Sequence, residues 1–184
     1  MKWLLVVLTL PVLLGSCSQH LDQEPLPTAP TTSAAQERVE SGRQVDRKPV
    51  IPRRFCSRRV GCASVVPIRL EGNTLVPPSD PSELGWWGQK AGSDQGTTLL
   101  VGHTVHTGGG FLNDLMKVPV GASAAVSGHL YTVVSNRVVN KRKVAQIASK
   151  LFSQTGPPRL VVVTCTGYHP ETGLYDSNVV MVAQ

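Results

Sequence analysis

From residue 63 onward the sequence is a succession of short β-prone runs, each closed by turn-forming residues. Val65 to Leu70, Thr74 to Val76, Thr97 to Val101, Ala124 to Val126, Leu130 to Val134, Leu160 to Thr164 and Val179 to Val182 are expected strands. Their β-branched content and their spacing between turn signals carry that expectation. Gly72-Asn73 reads as the turn of a hairpin joining the first two, and Pro77-Pro78-Ser79-Asp80-Pro81 breaks the chain after them. Two helices interrupt the series. One is short, Phe111 to Met116, with Phe111, Leu112 and Leu115 apolar. The other, Lys141 to Phe152, sets Val144, Ile147, Ala148 and Leu151 on one face behind an Asn140 cap. Many short strands with one well-formed helix point to a mainly β fold, a small β-barrel.

The residues before 63 read differently. Met1-Lys2-Trp3 leads into an apolar stretch from Leu4 to Leu14. A bilayer span takes about 20 residues, so this stretch reads as an export signal over 1–16 and is set aside from the fold. Leu14-Gly15-Ser16-Cys17 resembles a bacterial lipobox, with Cys17 as the lipidated residue; the plain alternative is an ordinary signal peptide that contains a Cys. Pro, Ser, Thr, Gln and charge dominate from 18 to about 50, with few bulky apolar residues to bury. Residues 17–60 are therefore expected to form a flexible tether to a domain spanning 61–184. Localisation would be extracytoplasmic, membrane-anchored through the lipid. No internal repeat is visible.

Export makes the four cysteines informative, because disulfides persist in oxidising compartments. Cys56 and Cys62 are close in sequence, with Gly61 permitting a tight loop, and are read as a local disulfide rather than two free thiols. With Cys17 assigned to lipid, Cys165 is left unpaired. The net charge is +6, concentrated in Arg53-Arg54, Arg58-Arg59, Arg137 and Lys141-Arg142-Lys143, with few aromatics between these basic residues. That pattern is not read as a nucleic-acid surface; anionic envelope polymers or lipid headgroups are the better match, and plain solvated faces the simpler one.

Cys165 directly follows the apolar run Leu160-Val161-Val162-Val163-Thr164, and His103 directly follows Thr97 to Gly102. A Cys and a His, each at a strand end, form the pairing that thiol nucleophiles need. A free thiol, with a pKa of roughly 8.5, is mostly protonated at neutral pH, and a neighbouring imidazolium favours the thiolate.

Several segments occur together in one order: Leu84-Gly85-Trp86-Trp87, Gly96 to Thr104, Gly110-Phe111-Leu112-Asn113-Asp114-Leu115, Tyr131-Thr132-Val133, Leu151-Phe152, Pro158 to Cys165, and Tyr175 with Asn178-Val179-Val180. In this the chain resembles the sortases, closest to classes E and F, over roughly 60–184. The resemblance implies an eight-stranded barrel with one or two short helices and a cysteine transpeptidase activity. Such an enzyme cleaves a sorting signal between Thr and Gly, holds the acyl group as a thioester, and passes it to an envelope amine. It implies Cys165 as nucleophile, His103 as acid/base, and Thr164 as a residue shaping the site. The partners implied are exported proteins with a C-terminal sorting signal and an envelope amine acceptor. A monomer without cofactor is expected.

The family also places an Arg on the strand after the Cys. Here Asp176 stands where it is expected, in Tyr175-Asp176-Ser177-Asn178, and no Arg or Lys occurs from Thr166 to Gln184. Three readings stay open. A basic residue such as Arg137 or Arg69 fills the role. Alternatively, Asp176 orients His103 in a Cys-His-Asp set with backbone N–H groups serving the oxyanion. Or the domain is a degenerate sortase-fold lipoprotein that acts as a binding module with little or no turnover.

His103 and His106 share a His-x-x-His spacing, but Thr107-Gly108-Gly109-Gly110 makes the segment a loop, and no Glu or second Cys accompanies it. No metal is expected, and His106 is read as a solvent-facing loop histidine. His129 and His169, beside Gly128 and Pro170, are read as surface polar groups. Trp86-Trp87 suits either a substrate groove or a lid over the core. The glycines 108–110 permit substrate approach or form a flexible loop; no phosphate-binding Lys-Ser/Thr follows them.

Overall fold

Alternation along the strand that precedes Cys165 divides its side chains between two apolar clusters. Leu160 and Val162 belong to an inner core with Phe55, Leu84, Leu100, Leu112, Val133 and Met181, whereas Val161 and Val163 join an outer cluster with Leu99, Val101 and Val180. A strand whose two faces are both covered needs no polar face, which is why Leu160 to Val163 is continuously apolar.

The computed structural model describes residues 48–72 and 74–184. The strands are β1 (Arg54–Ser57), β2 (Gly61–Pro67), β3 (Leu70–Glu71), β4 (Thr74–Leu75), β5 (Leu84–Gly88), β6 (Thr97–Val101), β7 (Ser123–Val126), β8 (His129–Asn140), β9 (Arg159–His169) and β10 (Leu174–Ala183). A 3-10 segment covers Phe111–Lys117, and one α-helix, α1, covers Lys141–Leu151. Among the described residues eight strands close into a barrel in the order β1-β2-β5-β6-β9-β10-β8-β7, while β3 and β4 form a separate hairpin. Closure removes the unpaired strand edges that an open sheet of this size would expose.

The outer cluster exists because α1 covers it. Val144, Leu151 and Phe152 pack there beside Trp87, Val139 and Val182. Asn140 caps the helix as its sequence predicts, its Oδ1 accepting from Arg142 N at 2.9 Å. The guanidinium of Arg159, the first residue of β9, donates to the Lys150 carbonyl near the helix C-terminus and to Thr97 Oγ1. All five residues of β6 are buried.

Several elements differ from the sequence expectation. β1 lies inside 17–60, the stretch read as tether. Its alternation is short, but Phe55 is fully buried and Cys56 faces Cys62 across the β1–β2 pair. These two cysteines form the expected disulfide, with Cα atoms 4.1 Å apart. The flanking arginines obscure the strand in the sequence, because only one of its four residues is a large apolar one. The Gly72 turn joins just two residues on each side; β2 pairs instead with β1 and, in parallel, with β5. Trp86 and Trp87 belong to β5 and are wall residues. Trp86 packs on the inner core and donates its Nε1–H to the Gln89 carbonyl at 2.9 Å, and Trp87 packs on the outer cluster. The short helix is 3-10 rather than α, with Leu112 and Leu115 buried. The proposed export signal and Cys17 lie outside the described residues.

Candidate active site

Parallel pairing of β6 with β9 sets the site. Val101 is the register partner of Val163, and the ladder continues one step further through Gly102 N donating to the Val163 carbonyl at 3.2 Å. Two residues beyond that pair the chains reach His103 on one side and Cys165 on the other. Thus the residues read from sequence as acid/base and nucleophile each lie two positions past the last register pair of the β6–β9 ladder, although they are far apart along the chain. Both are half-buried. Cys165 is the one free cysteine among the described residues. It does not end its strand, since β9 runs on to His169.

Thr164 locks the two strand ends together. The residue is 2% exposed, and its hydroxyl donates to the Gly102 carbonyl at 2.8 Å. Thr104 Oγ1 lies 2.7 Å from the same hydroxyl. A hydroxyl has one proton, so with Thr164 donating to Gly102, Thr104 must donate to Thr164. The residues before and after His103 are therefore both tied to the residue before Cys165.

The rest of the His103 loop is held equally closely. Asn113, on the 3-10 segment, accepts from Val105 N at 2.9 Å and donates to Val105 O at 3.0 Å. Tyr175 donates to the Thr104 carbonyl at 3.0 Å from the β9–β10 hairpin. The His106 ring stacks on Tyr168 with centroids 3.9 Å apart, and Tyr168 meets Tyr175 at 5.2 Å. His106 is exposed, as expected for a loop histidine, but its ring has an aromatic partner. Gly110 is buried under this loop, and a Cβ there would sit 2.9 Å from Val105 N and 3.0 Å from His103 O, so the loop depends on its absence. Among the described residues the His103 ring makes no hydrogen bond.

On the other side of Cys165 stands Asn178, its antiparallel partner on β10. The Asn178 amide donates to the Thr164 carbonyl at 3.1 Å and lies 3.9 Å from Cys165 Sγ. Asp176 is two residues away, in another setting. Its carboxylate contacts His169 Nε2 at 3.1 Å, and Glu171 contacts His169 Nδ1 at 3.0 Å. Gly167, at φ +71°, leaves room for Asp176, because a Cβ there would lie 2.2 Å from Asp176 Oδ1. Hydrogen bonds that His169 donates to Asp176 and then to Glu171 raise its pKa, while Ser177 first and His169 second lower that of Asp176. Arg137 is exposed on β8, paired with Val180 rather than with Cys165 or Asn178. Arg69 is exposed just beyond β2. His129 is half-buried against Gly92, whose missing Cβ would clash with its ring.

A cavity of about 610 Å³ lined by Ser57, Arg58, Arg59, Lys117 and neighbouring residues contains neither Cys165 nor His103. Its lining includes neither a cysteine nor a histidine. A half-buried thiol on β9 and a half-buried imidazole just past the end of the neighbouring β6 form a candidate site for nucleophilic thiol chemistry. A family model, Sortase domain, matches residues 60–184. The chain belongs to the sortase family. Solved structures agree on the fold. Sortase A of Listeria monocytogenes is similar with 15% identity and a TM-score of 0.52 over 71% of this chain and 83% of that one. SrtA sortase from Actinomyces oris is similar with 14% identity and a TM-score of 0.52 over 73% and 78%. Streptococcus agalactiae sortase C1 gives 15% identity and a TM-score of 0.54 over 71% and 65%. Comparison with curated proteins finds no match.

Proposed function

We propose that this protein is a membrane-tethered, extracytoplasmic cysteine transpeptidase of the E/F sortase type, acting on exported proteins that carry a C-terminal sorting signal. The observation that supports the reading is the β6–β9 register, tied at its end by Thr164, with His103 and Cys165 each two residues past its last pair. In the first half-reaction the Cys165 sulfur adds to the scissile carbonyl carbon. The C–N bond breaks, the leaving amine takes a proton from His103, and a thioester remains. An envelope amine then attacks the thioester and gives its proton back to His103. The C–S bond breaks and the thiolate is restored. The lipid on Cys17 and the stretch before the barrel would keep the site near the outer membrane leaflet.

A charged thiol-alkylating reagent near neutral pH, with peptide mapping by mass spectrometry, tests the site. Cys165 is expected to be modified rapidly, and His103→Ala to slow modification at least tenfold. A Cys165 that stays unmodified in the folded protein, with or without His103, would sink the proposal. A second reading, a sortase-fold binding module, draws on the neutral Asn178 at the cross-strand position of the thiol. It predicts that Cys165→Ala binds an envelope ligand as well as the native chain and that no thioester accumulates with a sorting-signal peptide.

A further inference from the structure

We propose that Asn178 supplies the hydrogen bond that stabilises the Cys165 thiolate, a neutral amide serving where a cation would otherwise be used. Asn178 and Cys165 are register partners on antiparallel strands. Side chains that face one another in such a pair have Cβ atoms about 4.5–5.5 Å apart, within reach of an amide. The amide orientation is determined by its surroundings. The Thr164 carbonyl can only accept, so the atom 3.1 Å from it is the Nδ2 donor. The same nitrogen lies 3.9 Å from Sγ, and its second N–H is free to serve the sulfur. Each of the other candidates is occupied or placed elsewhere. Asp176 is engaged by His169, and a carboxylate has no proton to donate when ionised. Arg137 is exposed and pairs with Val180 on the far side of β10.

Donation to the charged form of a group favours that form. Asn178 therefore increases the thiolate fraction without adding net charge, and by holding the Thr164 carbonyl it also steadies the backbone of the nucleophile. The inference rests on the reading of Cys165 as the nucleophile, and its test reads the thiol rather than turnover. The rate of Cys165 alkylation is measured against pH in the native chain, in Asn178→Ala and in Asn178→Asp. The midpoint is expected to rise by about half a unit in Asn178→Ala and by about one unit or more in Asn178→Asp, where a carboxylate replaces the donor. Midpoints equal to the native one in the folded variants would assign Asn178 to backbone support alone and overturn the inference. If neither variant folds, the native chain decides. The Asn178 side-chain amide resonances should shift as the thiol titrates and stay fixed over that range in Cys165→Ser. No shift in the native chain would overturn the inference. A native Cys165 that never alkylates would overturn the transpeptidase reading itself, whereas normal native alkylation with unshifted variants would overturn only the role of Asn178.

Discussion

The buried hydroxyl of Thr164 joins three separate pieces of the chain: β9, the turn at Gly102 and the loop at Thr104. Thr164→Val keeps the shape and removes the donor, leaving the Gly102 carbonyl without its partner. The expected loss is about 1–3 kcal/mol of stability, the usual cost of an unpaired buried polar group, measured by urea unfolding. Alkylation of Cys165 should slow in the same variant, because the position of His103 depends on that link. The His169–Asp176 pair gives a residue-scale pH prediction away from the thiol. His169 is raised above its ordinary 6.5, so its contribution is complete below 6.5 and lost as pH rises through the raised value. Asp176 is lowered below its ordinary 3.8, so its contribution is complete above 3.8 and lost as pH falls through the lowered value. The pair is at full strength between 3.8 and 6.5. An NMR titration of the His169 ring should show its midpoint falling toward 6.5 in Asp176→Asn. A midpoint unchanged by that substitution would assign the shift to Glu171 alone.

At the scale of elements, the segment from Gly102 to Gly110 is a loop with several fixed points. Asn113 grips Val105 by both backbone groups, and Tyr175 and Tyr168 hold Thr104 and His106 from the β9–β10 hairpin. Asn113→Ala is therefore expected to raise the hydrogen-exchange rate of the Val105 amide at least tenfold and to reduce Cys165 alkylation. Exchange at native rates in that variant would show that the other contacts suffice. The helix was readable in advance, since apolar spacing and the Asn140 cap are local signals. The β1 strand was not, because Phe55 is its one large apolar residue and its pairing with β2 and β7 is non-local. The two tryptophans carried an ambiguous signal for the same reason: they sit on opposite faces of β5, and the coverage of both faces is known only after the barrel closes.

Over the whole molecule, barrel closure binds the ends of a long order of strands, and the Cys56–Cys62 bridge fastens β1 to β2 within it. A loop this short constrains the unfolded chain modestly, by about 2 kcal/mol. The Cys56→Ser/Cys62→Ser variant should therefore melt lower by an amount equivalent to about that figure while keeping the barrel's far-UV spectrum and Cys165 reactivity. Loss of the folded state would show that β1 cannot be held by Phe55 and its pairing alone. Local chemistry is what the sequence determined unaided: short β runs between turns, an amphipathic helix with its cap, a disulfide-prone pair, and a thiol and an imidazole at the ends of two apolar runs. Those signals depend on neighbours within a few residues and on compartment, so they survive without a fold. Cross-strand partnership was decided only by the tertiary structure. It carried the β6–β9 ladder to within two residues of His103 and Cys165, gave Thr164 its link to the His103 loop, and placed Asn178 rather than Asp176 opposite the thiol. A shift of one residue in register turns a side chain to the other face, and register follows from the closure of all eight strands together.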